Sequence, residues 1–213
     1  MTTPLRHLPV LRQAAELEGI VRRNPLIEKV LARAAELALP GWYLAAGCVF
    51  QTVWNVLAGR DPAAGIRDYD LCYHDGSDLS WDAEDAVIRR CAETFADLGV
   101  DVEVRNQARV HLWYEDRFGV PCPPYPCSEA AIDSFPATAC CIGLRQDTRG
   151  WLDVYAPHGF GDLFGFVLRP NPVLAPRGVY EAKARRWARE WPALTVLPWP
   201  EAAAAPIARC MPR

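Results

Sequence analysis

Asp68 and Asp70 lie two residues apart in the segment Asp68-Tyr69-Asp70-Leu71-Cys72-Tyr73, where polar and apolar residues alternate. Such alternation belongs to a half-buried strand, which projects both carboxylates from one face, about 7 Å apart at two strand rises. Paired acids at that spacing are hard oxygen donors suited to divalent ions such as Mg2+ or Mn2+. A two-metal phosphoryl-transfer site, with ions about 3.5–4 Å apart, calls for a further carboxylate. Asp101 and Glu103 are the candidates, since they share one face of a second alternating run over residues 100–113. Sequential strands joined by a helix usually lie close in a sheet. The plainer alternative for Asp68 and Asp70 is a strand end carrying two solvated acids.

Gly47-Cys48 stands between a short apolar run, residues 42–46, and the helical pattern GCVFQTVWNVL. A glycine there admits close backbone approach to a ligand, and a helix N-terminus offers unpaired N–H groups to a phosphate. An ordinary strand-to-helix turn is the alternative. Arg105, Gln107, Arg109 and His111 continue the face of Glu103 if the whole run is strand. The arginine fork suits phosphate and His111 could accept a proton. A solvated face or cross-strand ion pairs would need the same residues. Gln51 and Asn55, four apart, read as helix-interface residues in preference to nucleotide contacts. Trp54, Trp81, Trp113 and Tyr114 could stack a base, although core packing is the commoner use of such rings. The basic stretch KARRWARE fits a solvated helix face with i,i+4 ion pairs, or a contact with an acidic acceptor such as RNA.

Two helices occupy residues 1–40: one over 8–22, and one opened by Asn24 as N-cap with Pro25 at its first position and closed by Pro40-Gly41. A buried strand at 42–46, a helix ending at Gly59, the Asp68 strand and a helix capped by Asp82 and running to Leu98 follow. The run 100–113 reads as one long strand. Ser128 caps a short helix, 139–144 and 151–155 pair as a hairpin, a short helix sits near 162–166, and a last helix spans 179–191. The fold class is therefore α+β, or mixed α/β: a mixed sheet covered by helices, in one domain over residues 1–200, with 201–213 a frayed tail.

Composition bounds the rest. A chain of 213 residues with 51% hydrophobic residues can bury a large core without a disulfide or metal staple. A net charge of −3 excludes a broad nucleic-acid-coating face. Neither a transmembrane run nor a signal peptide is legible, so the expected compartment is the cytoplasm and the 8 cysteines are expected to be reduced. Cys122 and Cys127 approach zinc spacing, but adjacent Cys140 and Cys141 make a poor second pair.

The order of parts resembles the nucleotidyltransferase superfamily that includes DNA polymerase beta, CCA-adding enzymes and small antitoxin-type nucleotidyltransferases. The segments GCVFQTVWN, RDYDLCYHDGSDLSWDAED, VEVRNQARVHLWYE and VYAPHGFGDLFGFVLRPNP look like a bacterial nucleotidyltransferase family, over roughly residues 24–195. The resemblance implies a nucleotidyltransferase-like sheet and a phosphate-binding turn at Gly47 and Cys48. It implies metal-binding acids at Asp68, Asp70 and either Glu103 or Asp101, with Glu103 preferred as the deeper one. It also implies a nucleoside triphosphate such as ATP as substrate, Mg2+ or Mn2+ as cofactor, and an acceptor that is a small molecule, a protein hydroxyl or an RNA end. Cys48 stands where the superfamily usually has serine; a thiol is a weak donor, which leaves the backbone N–H. A catalytically inactive nucleotide-sensing or partner-binding module of the same fold is the alternative function.

Overall fold

The computed structural model describes residues 3–201. The expected frayed tail lies, beyond Glu201, outside the described residues. Helix α1 (Val10–Val21) leads into α2 (Pro25–Leu37), whose start is set by Asn24. The Asn24 side-chain oxygen accepts the Leu26 N–H at 3.0 Å while its amide nitrogen donates to Thr52 Oγ1 at 2.9 Å. One residue thus caps α2 and ties it to α3 (Gly47–Leu57). Strand β1 (Tyr43–Ala45) enters α3 directly. Next come β2 (Asp68–Tyr73), α4 (Trp81–Phe95) and β3 (Asp101–Asn106).

Short helices α5 (Tyr114–Phe118) and α6 (Ser128–Ile132) precede the hairpin β4 (Gly143–Gln146) and β5 (Leu152–Tyr155). The chain then forms α7 (Gly161–Phe164), β6 (Val167–Leu168), α8 (Arg177–Glu190) and β7 (Thr195–Val196). The main sheet has the order β3-β2-β1-β4-β5, with β2 and β3 parallel and the other pairs antiparallel.

Strand alternation gives this sheet two faces. Leu44, Leu71, Tyr69, Val104 and Leu144 pack in one cluster with Val30, Val49, Phe50 and Phe95 from the helices. Tyr43, Ala45 and Cys72 form a smaller cluster on the other face, with Ile132 of α6 and Cys141. Asp68, Asp70, Glu103 and Arg105 share the parity of that second face. The register aligns Glu103, Asp70, Ala45 and Gly143 in one row across four strands.

Three elements depart from the sequence reading. The run 100–113 is strand only to Asn106, a polar residue at an apolar position of the alternation. Buried Asn106 accepts the N–H groups of Asp75 and Ala108 and donates to the Asp75 carbonyl, which turns Gln107–Leu112 into a 3₁₀ helix. Helix α4 is capped by Ser80 rather than Asp82, through the Ala83 N–H at 3.2 Å. Thr138–Cys140 is a 3₁₀ turn, so β4 begins only at Gly143; Cys140 and Cys141 nonetheless face different clusters.

A Cβ on Gly143 would lie 2.8 Å from Ile132 Cδ1 and 3.0 Å from Tyr43 Cδ1. Gly143→Ala therefore overpacks the contact between α6 and the sheet. The expected loss is about 1–3 kcal/mol in chemical denaturation; an unchanged midpoint would refute this packing.

Candidate active site

β1, α3 and β2 set the centre of a cleft of about 360 Å3. Its floor carries Asp68, Asp70, Glu103 and Arg105; Gly47 and Gln51 of α3 form one side. Lys183, Arg186 and Trp187 of α8 form another, and Trp113, Tyr114, Phe118, Tyr125 and Phe135 make an aromatic wall.

The turn into α3 brings backbone against acid. A Cβ on Gly47 would lie 3.6 Å from an Asp68 carboxylate oxygen, 3.8 Å from one of Asp70 and 3.0 Å from Gln51 Nε2. A side chain would fill the space between the helix N-terminus and the two carboxylates. The preceding residue, Ala46, has φ 52° and ψ −116°, a conformation that favours glycine. A strained residue thus stands immediately before the helix N-terminus that meets the acids.

Burial raises the Asp70 carboxyl to about 7, with Asp68 and Glu103 adding repulsion; Lys183 and the Gly47 N–H act in the opposite sense. This excess of negative charge, presented by oxygen donors alone, fits a hard divalent cation. Asp68 and Asp70 are the residues able to hold one. Glu103 is ion-paired with Arg105 at 3.0 Å. Among the described residues no three His, Cys, Asp or Glu side chains stand close enough together to enclose an ion.

The other residues expected at the site divide sharply. Glu103 lies opposite Asp70, whereas Asp101 is exposed at the strand start opposite Asp68 and does not line the cleft. The Cys48 side chain is wholly buried and bonded to the Ala45 carbonyl at 3.5 Å, and burial raises its thiol, so only its backbone can meet a phosphate. Arg105 lines the cleft, but Arg109 and His111 do not. The strand's end at Asn106 carries both away: Arg109 is ion-paired with Glu84 and donates to the Leu79 carbonyl at 3.0 Å.

Asn55 is an interface residue, donating to the carbonyls of Pro62 and Ala64 and accepting from Trp191. Gln51, grouped with it in the sequence reading, instead lines the cleft. Lys183 and Arg186 were missed as cleft residues. They flank the stripe Tyr180, Ala184, Trp187 that buries α8, which marks them as bordering its packed face but not as facing the cleft.

A family model described as "Nucleotidyltransferase" matches residues 32–196. An NMR structure described as revealing a CCA-adding enzyme head domain is similar, with TM-score 0.70 and 23% identity over 87% of this chain and 96% of that one. A structure of a tRNA-processing enzyme complex matches with TM-score 0.44 and 16% identity, over 79% of this chain and 43% of that one. Comparison with curated proteins finds no match.

Two substitutions separate strain from charge. Ala46→Gly should stabilise the chain by about 1 kcal/mol, the strain relieved less the added backbone entropy, read as a higher denaturation midpoint. Arg109→Ala leaves Glu84 buried without its partner and should cost about 3 kcal/mol, with nucleotide affinity unchanged in calorimetry at a temperature where the variant is folded. A large loss of affinity there would return Arg109 to the site.

Proposed function

We infer, for a chain that belongs to the nucleotidyltransferase family, a metal-dependent transfer of a nucleoside monophosphate from a nucleoside triphosphate to a hydroxyl acceptor. The observation that carries this reading is the approach of the α3 N-terminus to Asp68 and Asp70 across the space left open by Gly47. A divalent ion such as Mg2+ or Mn2+, if bound there, would neutralise charge on the triphosphate and lower the pKa of the acceptor hydroxyl.

Asp68 and Asp70 hold that charge in place. The backbone N–H of Cys48 receives a phosphate oxygen, and that of Gly47 does so once Asp70 no longer needs it, with the helix dipole favouring the anion. Glu103 would be the third carboxylate to hold the ion, and Arg105, no longer paired with it, would turn its fork to phosphate. The acceptor hydroxyl gives up its proton to water, its oxygen bonds to the α-phosphorus as the bond to the α–β bridging oxygen breaks, and pyrophosphate leaves. Catalysis is then mainly positioning and charge stabilisation. The hydroxyl is that of a small molecule, a protein side chain or an RNA end.

One observation favours a second reading, a nucleotide-sensing module without turnover: the Glu103 carboxylate is engaged by Arg105 at 3.0 Å. Calorimetry with the four ribonucleoside triphosphates, with Mg2+ and with chelator, tests both readings. Wild-type protein should bind at least one triphosphate in a metal-dependent manner. Asp68→Asn/Asp70→Asn should weaken that binding by on the order of a hundredfold or more, with circular dichroism unchanged. Absence of any triphosphate binding by the wild type overturns the transferase reading. Binding without pyrophosphate release in the presence of mixed acceptors supports the sensing module.

A further inference from the structure

Helix α8 brings an unusual pair of charges to the cleft. Lys183 and Arg186 stand one turn apart and both line it. The acids beside them are taken by other cations: Glu181 pairs with Arg177 and Arg185, and Glu190 with Arg60. Among the described residues neither Lys183 nor Arg186 has an ion-pair partner. Two unpaired cations on one wall of a cleft whose floor holds three acids leave a site of mixed sign, suited to a ligand that is itself anionic at one end and bridged to the acids by a cation.

Trp187 holds this pair. The Lys183 ammonium lies 5.6 Å and the Arg186 guanidinium 5.5 Å from its ring centroid, within cation–π range. The indole is 3% exposed and packs edge-on against Phe50 at 4.9 Å and Trp54 at 6.5 Å. Its N–H has no acceptor, although a buried tryptophan usually finds one. The ring is therefore fixed through its faces and edges, by packing and by the two cations. A recess of about 70 Å3 between Gln51, Asp68, Arg186 and Trp187 opens beside the acids.

We propose that Lys183 and Arg186, held on the buried indole of Trp187, form the seat for the terminal phosphates of a nucleoside triphosphate, with Trp187 as the positioning residue. The proposal rests on the nucleotide reading of this cleft and names where the leaving pyrophosphate sits. Flexible lysine and arginine side chains lose much rotamer entropy on binding. A rigid ring beneath both reduces that cost and orders them before the ligand arrives.

The probe is inorganic tripolyphosphate, titrated calorimetrically into the full chain in chelator at low salt, so that neither nucleobase nor metal contributes. The wild type should bind it, more weakly as salt rises. Lys183→Ala and Arg186→Ala should each weaken binding about tenfold, the loss expected for a charged hydrogen-bond partner. Trp187→Leu should weaken it similarly with both cations still present, and Trp187→Phe, which keeps an aromatic face, should restore most of the affinity. Asp68→Asn/Asp70→Asn should keep or strengthen tripolyphosphate binding while losing metal-dependent nucleotide binding, so the two readings fail separately. No binding by the wild type, or wild-type binding by Lys183→Ala and Arg186→Ala, overturns the proposal. Those two side chains are outside the core, so their substitution decides the matter even if Trp187→Leu fails to fold.

Discussion

Burial of the Asp70 carboxylate, beside two further acids, is the constraint on which the cleft and the elements around it depend. A carboxylate with little water around it has Asp68 on its own strand and Glu103 beside it on the next. Desolvation and like charges both work against its ionised form. The protein's offsets are few: the N–H of Gly47, the field of Lys183, and the positive end of α3. Each demands something of the fold. The glycine must stay bare, Ala46 must take a strained conformation, α3 must be buried from Gly47 to Asn55, and α8 must lie close enough to extend a lysine. Ala46 thus places local distortion beside the buried charge, while Ala38 and Phe166 take positive φ elsewhere in the chain.

Much of this was legible in the sequence. Asp68–Tyr73 begins with clear alternation and forms a strand over those same residues. Asn24-Pro25 carries its capping chemistry in the residue types themselves. Gly47 announces itself as the break between an apolar strand and an apolar helix. These are local signals, governed by the backbone of the residues concerned. Residues 107–113 alternate just as well, and there the pattern misleads. What ends the strand is a side chain, Asn106, whose partners at Asp75 come from a distant loop. Periodicity over one segment carries no information about such a competitor. The displacement of Arg109 and His111 from the cleft follows from that single turn.

The α8 cations illustrate the reverse case. A run of Lys and Arg with interspersed acids ordinarily reads as solvated, and the helix's ion pairs behave in that way or tie it to its surroundings. Only the position of Trp187 against Phe50 and Trp54 rotates the helix so that 183 and 186 border the cleft. Tertiary packing, not composition, decides which members of a charged stretch meet a ligand. The same holds for the aromatics: Trp54 is core and bonded to the Leu163 carbonyl, Trp81 is exposed, and Trp113 and Tyr114 line the cleft.

The sheet order has one further consequence. β3 and β5 are its two terminal strands, and a terminal strand offers unpaired backbone groups on which another chain could add. β5 is four residues long and carries Asp153, paired with Arg145; β3 carries Asp101, Glu103 and Arg105. Charge on both rims discourages strand addition and hence aggregation. The charged residues of β3 that reach the cleft, Glu103 and Arg105, therefore also make its edge unattractive to another strand, and apolar replacements there would open that edge to self-association.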